Sequence, residues 1–127
     1  MEHEFLFDHD GLPLVVRTSG AASAAGSAAL DRELVKHPLY RQGMPVLIDN
    51  RELDMSEMTS TSVRASSSLM RGFSKKWARG RWAFVVATDL AFGMGRMWQT
   101  YTQDGVEAEI QMFRSMDEAR EWLLRPE

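Results

Sequence analysis

Two short apolar runs constrain the fold more than any other feature of the chain. Met44-Pro45-Val46-Leu47-Ile48-Asp49 follows Gly43 and leads into a polar stretch, and Trp82-Ala83-Phe84-Val85-Val86-Ala87 is apolar throughout. A strand with one wet face alternates polar and apolar residues. A continuous apolar run of this length predicts a strand covered on both faces, as in a parallel sheet. Helical patterns lie between and after the two runs. Strands alternating with helices imply right-handed crossovers and a largely parallel sheet with helices packed on it.

The remaining elements follow from local signals. Glu4–Phe7 and Leu12–Arg17 read as short strands joined through Asp10-Gly11, a strong hairpin-turn pair. Ala21 to Leu34 is rich in Ala and reads as a helix ended by Pro38. Asp54-Met55-Ser56-Glu57 has the form of a capping box, so the next helix is expected to begin near Met55. Met58, Leu69, Met70, Phe73 and Trp77 are its expected core positions, and the Ser/Thr density over 59–68 weakens its first half. Met94, Met97, Trp98 and Tyr101 share one helical face, which Gly105 closes. Val106–Met112 alternates strictly, as an edge strand does. Ser115-Met116-Asp117-Glu118 is a second capping box, and Met116, Ala119, Trp122 and Leu123 give the last helix a core face. The expected order is ββα-βα-βα-βα, a single α/β domain over 1–127 with an antiparallel edge strand.

Composition removes several function classes. With 127 residues, 44% hydrophobic and 26% charged, the chain has the make-up of one soluble globular domain. Having no Cys, it has no disulfide, zinc ribbon or catalytic thiol, and a cytoplasmic location is expected. Its apolar runs are too short to span a membrane, and Met1–Phe7 lacks the basic start and apolar core of a signal peptide. His3, His9 and His37 lie in separate segments without metal-ligand spacing. No Gly-x-Ser-x-Gly elbow occurs, and Gly93-Met94-Gly95 lacks the third Gly of a dinucleotide fingerprint, with Trp98 in its place. No enzymatic activity, cofactor or metal is expected.

Charge and topology supply three candidate sites. Between Met58 and Thr88 there are six basic residues and no acid, so the rest of the chain carries −9 against a net charge of −3. Arg64, Arg71 and Lys75 would line one stripe of a helix, a candidate surface for an acidic protein partner or a solvated face turned toward the domain's own acids. With an acidic chain and no recognised motif, nucleic acid is not an expected partner. Ligands of open parallel sheets bind outside the carboxyl ends of the strands. Asp49 and Arg51 leave one buried strand, while Asp89 and Arg96 follow the next, making a candidate rim for an anionic group or a set of structural ion pairs. The Met94–Tyr101 face reads either as plain core or as the wall of an apolar pocket, as in a lipid carrier.

Three stretches give the chain a resemblance to a family. His37-Pro38-Leu39-Tyr40-Arg41-Gln42-Gly43-Met44-Pro45-Val46-Leu47-Ile48-Asp49-Asn50-Arg51, Ala91-Phe92-Gly93-Met94-Gly95-Arg96-Met97-Trp98 and Met112-Phe113-Arg114-Ser115-Met116-Asp117-Glu118-Ala119-Arg120-Glu121-Trp122-Leu123 are similar to segments of the SpoIIAA-like branch of the STAS superfamily. The order of elements also resembles that branch over the whole chain. The resemblance implies the anti-sigma-factor-antagonist fold. In the STAS regulators a Ser in an Asp-Ser-Ser-Gly motif is phosphorylated. Here the matching stretch is Asp54-Met55-Ser56-Glu57, which keeps Asp54 and Ser56, replaces the usual acceptor with Met55 and replaces the Gly with Glu57. Ser56 is then the candidate phosphorylation site. The implied function is a non-enzymatic regulatory or protein-interaction domain. A binding module for a small apolar or anionic ligand, such as a lipid, is the alternative.

Overall fold

The computed structural model describes residues 1–74 and 79–126. Lys75, Lys76 and Trp77 of the sequence reading, and the Phe73 side chain, lie outside the described set. The chain opens with strands β1 (Glu2–His9) and β2 (Leu12–Ala21), paired antiparallel. Asp10 at φ 55° and Gly11 at φ 79° form the turn between them. Two positive φ values in a two-residue loop match the right-handed twist of the strands it joins, which is why Asp-Gly signals a hairpin. Helix α1 (Ala24–Lys36) follows, its first turn capped by the Ser23 hydroxyl, which accepts from the Gly26 N–H at 2.9 Å.

Strand β3 (Val46–Asp54), helix α2 (Ser60–Ser74), strand β4 (Arg81–Val85), helix α3 (Asp89–Thr102), strand β5 (Glu109–Phe113) and helix α4 (Met116–Leu124) complete the chain, with a short 3-10 turn at Gln103–Gly105. The sheet order is β1-β2-β3-β4-β5, parallel from β2 onward, with β1 the antiparallel edge. This is the α/β architecture the apolar runs require.

Alternation along the strands sorts the core into two layers. Leu14, Val16, Ile48, Trp82, Phe84 and Ile110 pack with Leu30 and Leu34 of α1, Met70 of α2 and Ala91 of α3. Val15, Leu47, Ala83, Val85 and Phe113 pack on the other face with Ala119, Trp122 and Leu123 of α4. Arg81 fastens α4 at its end. Its guanidinium lies 5.7 Å from the Trp122 ring centroid and donates to the Trp122 and Arg125 carbonyls at 2.9 and 2.6 Å. The expected Ser115 cap is present, with the Glu118 N–H donating to its hydroxyl at 3.2 Å.

Several element boundaries differ from the sequence reading: β1 and β2 are longer than Glu4–Phe7 and Leu12–Arg17, the first helix is displaced from Ala21–Leu34 to Ala24–Lys36, and α2 and β5 start later. Helix α2 begins at Ser60, not near Met55, because β3 runs on to Asp54 and pairs Glu52–Asp54 with Ser19–Ala21 beyond a register shift in β2. The Asp54 carboxylate then accepts from the Ser56 N–H at 2.9 Å in a turn, and Thr59 caps the helix by accepting from the Ser62 N–H at 3.2 Å. An Asp with a Glu three residues on serves a turn as well as a cap. Strand β5 starts at Glu109, not Val106. The Gln103 side chain takes up backbone groups there, donating to the Ala108 carbonyl at 2.7 Å and accepting from the Ile110 N–H at 2.9 Å. One buried Ser of α2 finds a partner across the helix seam: Ser67 and Thr102 share a hydrogen bond of 2.7 Å where α2 meets α3.

Candidate functional site

The layer between the sheet and α1, α2 and α3 is not filled. A cavity of about 100 Å³ lies there, toward the carboxyl ends of the strands. Its floor includes Thr18, Ile48, Asn50, Phe84 and Met112 from the sheet, and its roof includes Met94, Gly95 and Trp98 of α3. Six of the nine methionines line it: Met1, Met55, Met58, Met70, Met94 and Met112. Met is unbranched and polarizable, so a wall built from it reshapes around different apolar contents at low cost. The Met94 and Trp98 side of the helical face is therefore cavity wall as well as core.

Few polar groups reach the cavity. On β2 the Thr18 hydroxyl donates to Asn50 Oδ1 of β3 at 2.6 Å. Ser27 of α1 and Ser66 of α2 also line it. Among the described residues Asp31 of α1 is the one ionisable side chain in the lining. Helical spacing puts Asp31 on the face of Ser27 and Leu34 and so turns it inward. Desolvation pushes its carboxyl up to about 7, and the charge of the adjacent Arg32 offsets only part of that. Burial and the Asp31 charge together push the Tyr40 hydroxyl up to about 12.

The expected rim divides into separate pairs. Because Ile48 and Asn50 face the helices, Asp49 and Arg51 face the opposite side of the sheet. Arg51 grips Asp49 through two bonds, Nε to Oδ1 at 2.9 Å and Nη2 to Oδ2 at 3.0 Å. Burial raises the Asp49 carboxyl, but the hydrogen bonds from Arg51 and the charges of Arg51 and Arg17 outweigh it and hold it below its ordinary value. Asp89 is paired with Arg114, which also donates to the Ala87 carbonyl at 3.1 Å. Arg96 is exposed on α3, and among the described residues no ion pair joins it to Asp89 or Asp49. Parallel pairing of β4 with β5 brings Arg114, at the end of β5, beside Asp89.

Arg51→Ala should cost about 1 kcal/mol near neutral pH, as expected for a half-exposed ion pair on a buried carboxylate. The sign with pH follows from the lowered Asp49 value. Its contribution is present above the unfolded carboxylate range, near about 4, and disappears as pH falls through the folded value. Urea denaturation of parent and variant should therefore differ at neutral pH and converge in acid.

The other candidates are placed as follows. Ser56 lies in the turn before α2, where its side chain and backbone hydrogen bonds hold the Asp54 carboxyl below its ordinary value. Arg64 and Arg71 are exposed on α2 but rest on neighbouring structure. The Arg64 guanidinium sits 5.3 Å from the Tyr101 ring centroid, and its Nε donates to the Tyr101 hydroxyl at 3.3 Å. The Arg71 stem packs over Gly105, beside a cleft lined by Asp104 and Glu107. Arg79 is paired with Glu107 at 2.7 Å. Among the described residues no group of three or more His, Cys, Asp or Glu is arranged to hold a metal ion, and no helix is long and apolar enough to cross a membrane.

Sequence reasoning missed Asp31 and the floor residues Thr18 and Asn50 as a group. The available signal for Asp31 was its position between Leu30 and Leu34 in an otherwise small-residue helix.

No protein-family model matches the chain, and no curated protein matches it. Among solved structures it is similar to an uncharacterized protein of the DUF3478 family with a SpoIIAA-like fold, from Shewanella loihica PV-4. The two are 18% identical, with a TM-score of 0.59 over 96% of this chain and 92% of that one. The fold of this chain is SpoIIAA-like, as its motifs imply.

Proposed function

We propose that this domain is a non-enzymatic binding module that takes a small apolar or amphiphilic molecule into the cavity between the sheet and α1–α3. The observation that supports this reading is the cavity itself, with its methionine walls at the carboxyl ends of the strands. Ligand sites in open α/β sheets cluster at that end. A cavity of roughly 150 Å³ admits benzene, so about 100 Å³ suits a short hydrocarbon group before any methionine moves. Among the described residues the lining offers one ionisable side chain, Asp31, and no second one beside it, which favours binding over chemistry. The regulatory or protein-interaction reading draws on the charge of α2. It has less support, because Arg64 and Arg71 are engaged with Tyr101 and Gly105 of the same chain.

Filling the cavity tests the reading. Ser66 is 8% exposed on α2 and lines the cavity. Ser66→Leu adds apolar volume there and removes a buried hydroxyl, so the variant should melt at or above the parent temperature. Calorimetric titration with hexanol should show saturable binding to the parent and none to Ser66→Leu. Equal binding to both proteins would place hexanol somewhere other than this cavity and remove the support for the proposal.

A further inference from the structure

We infer that the cavity selects its ligand by charge, taking an amphiphile whose cationic amine head pairs with Asp31 and whose short hydrocarbon tail lies among the methionines. The inference rests on the binding-module reading and adds the chemical class of the head group.

Asp31 differs from the other acids in being half-buried without a partner among the described residues: unpaired acids such as Glu2, Glu4, Asp8 and Glu121 are exposed. Asp10, Asp49, Asp89, Asp117, Glu33, Glu107 and Glu109 all have a basic partner within the chain. Asp54 accepts from Ser56. Among the described residues no hydrogen bond or ion pair engages the Asp31 carboxylate, although it is half-buried. Its neighbour Arg32 is exposed and makes no ion pair with it. A carboxylate withdrawn from water is costly unless a cation or donors compensate it. Among the described residues no compensating group is present, and Asp31 borders an empty space.

Position and surroundings then narrow the missing group. Asp31 lines both the inner cavity and a shallow groove outside it, where α1 meets Ser68, Leu69 and Gly72 of α2. A head group at Asp31 thus sits at a wall shared with a surface groove, with the tail directed inward. The Ser27 and Ser66 hydroxyls line the same cavity and can accept further N–H bonds from an ammonium. An anionic head would add a second negative charge beside an unpaired one. A bare metal ion would find one carboxylate and no cluster of ligands among the described residues. An alkylammonium supplies both the charge for Asp31 and the apolar body for the methionine walls. The upward shift of the Asp31 carboxyl, to about 7, is the expected signature of a carboxylate waiting for a counter-ion.

Three probes of equal chain length, hexylammonium, hexanol and hexanoate, test the inference by calorimetry near about pH 8, where the amine and Asp31 are both charged. Hexylammonium should bind at least about tenfold more tightly than hexanol, and hexanoate least tightly. In Asp31→Asn the preference for the amine should vanish while hexanol binding remains. Equal affinities of all three for the parent protein would overturn the charge selection and leave the binding-module reading standing. Failure of all three to bind would overturn both. The order of the probes on the parent protein decides the matter even if Asp31→Asn does not fold.

Discussion

Adding a single methyl group at Gly80 should cost the domain about 2–5 kcal/mol, a large share of the stability of a chain this size. Gly80 holds φ at 78°, in the left-handed region that a residue with a Cβ rarely adopts. A Cβ built there would also lie 2.4 Å from the Gly43 carbonyl oxygen and 2.9 Å from its carbon. Those are backbone atoms and cannot swing aside as a side-chain end does. Gly80 is pinned in place, because its carbonyl accepts from the Glu109 N–H at 2.8 Å just before β4 enters the sheet. Gly11 provides the control. Its φ is 79° and nothing lies within 4 Å of an added Cβ, so Gly11→Ala should lose only the conformational preference, about 1 kcal/mol. Urea midpoints of the two variants separate the effects. Equal losses would mean that the contact with Gly43 carries no weight.

Removing the charge of Asp31 should make the unliganded protein more stable. A carboxyl whose folded value is raised to about 7 favours folding when protonated and opposes it when ionised. Stability should therefore fall as pH rises from about 4, the unfolded value, through about 7, and stay low above that. Among the described residues the charged group that acts on Asp31 is Arg32, whose lowering effect is already outweighed by desolvation. Tyr40 feels the Asp31 charge, but with its hydroxyl held up to about 12 it stays protonated over this range. Asp31→Asn keeps the shape and removes the titration. At about pH 8 it should gain about 1–3 kcal/mol over the parent, after allowing for screening at a half-buried site. Near about pH 4 the two should agree closely. Denaturation at both pH values checks the sign, and a variant less stable than the parent at the higher pH would show that Asp31 has a stabilising partner. Saturating hexylammonium should raise the parent melting temperature more than that of Asp31→Asn.

Much of the fold is legible because its signals are local and mutually consistent. The runs at Val46–Ile48 and Trp82–Val85 are apolar on every residue, and only a doubly covered strand needs that. Asp10-Gly11 and Ser115 specify backbone geometry directly. The extension of β3 through Asn50–Asp54 is less legible, since its polar residues pair only with the end of β2 and read as loop. Asp54 misleads for the same reason: its carboxylate satisfies a nearby N–H whether or not a helix follows.

The candidate site is less legible, because it depends on which way alternate residues point. Asp49 and Arg51 stand at the right end of the right strand but face away from the cavity, while Asn50 between them faces into it. Asp89 finds Arg114, just past the end of β5, and not Arg96 seven positions along the chain. Asp31 draws no notice as one of two acids in an Ala-rich helix. Only the seam between α1 and α2 shows that it has lost water without gaining a partner among the described residues. Spacing alone left the face of Met94 and Trp98 open between core and pocket wall, and the cavity beneath α3 makes it both.

If the cavity is a working site, the protein should leave its own cells with the site occupied. Native mass spectrometry of the domain purified from its source, without detergent or organic solvent, reads this directly. The expected spectrum shows the polypeptide carrying one small molecule with a basic nitrogen and a short apolar body. The Ser66→Leu variant prepared in the same way should show the bare polypeptide. A bare mass for both proteins, or the same adduct on both, would contradict the assignment of the cavity as a binding site.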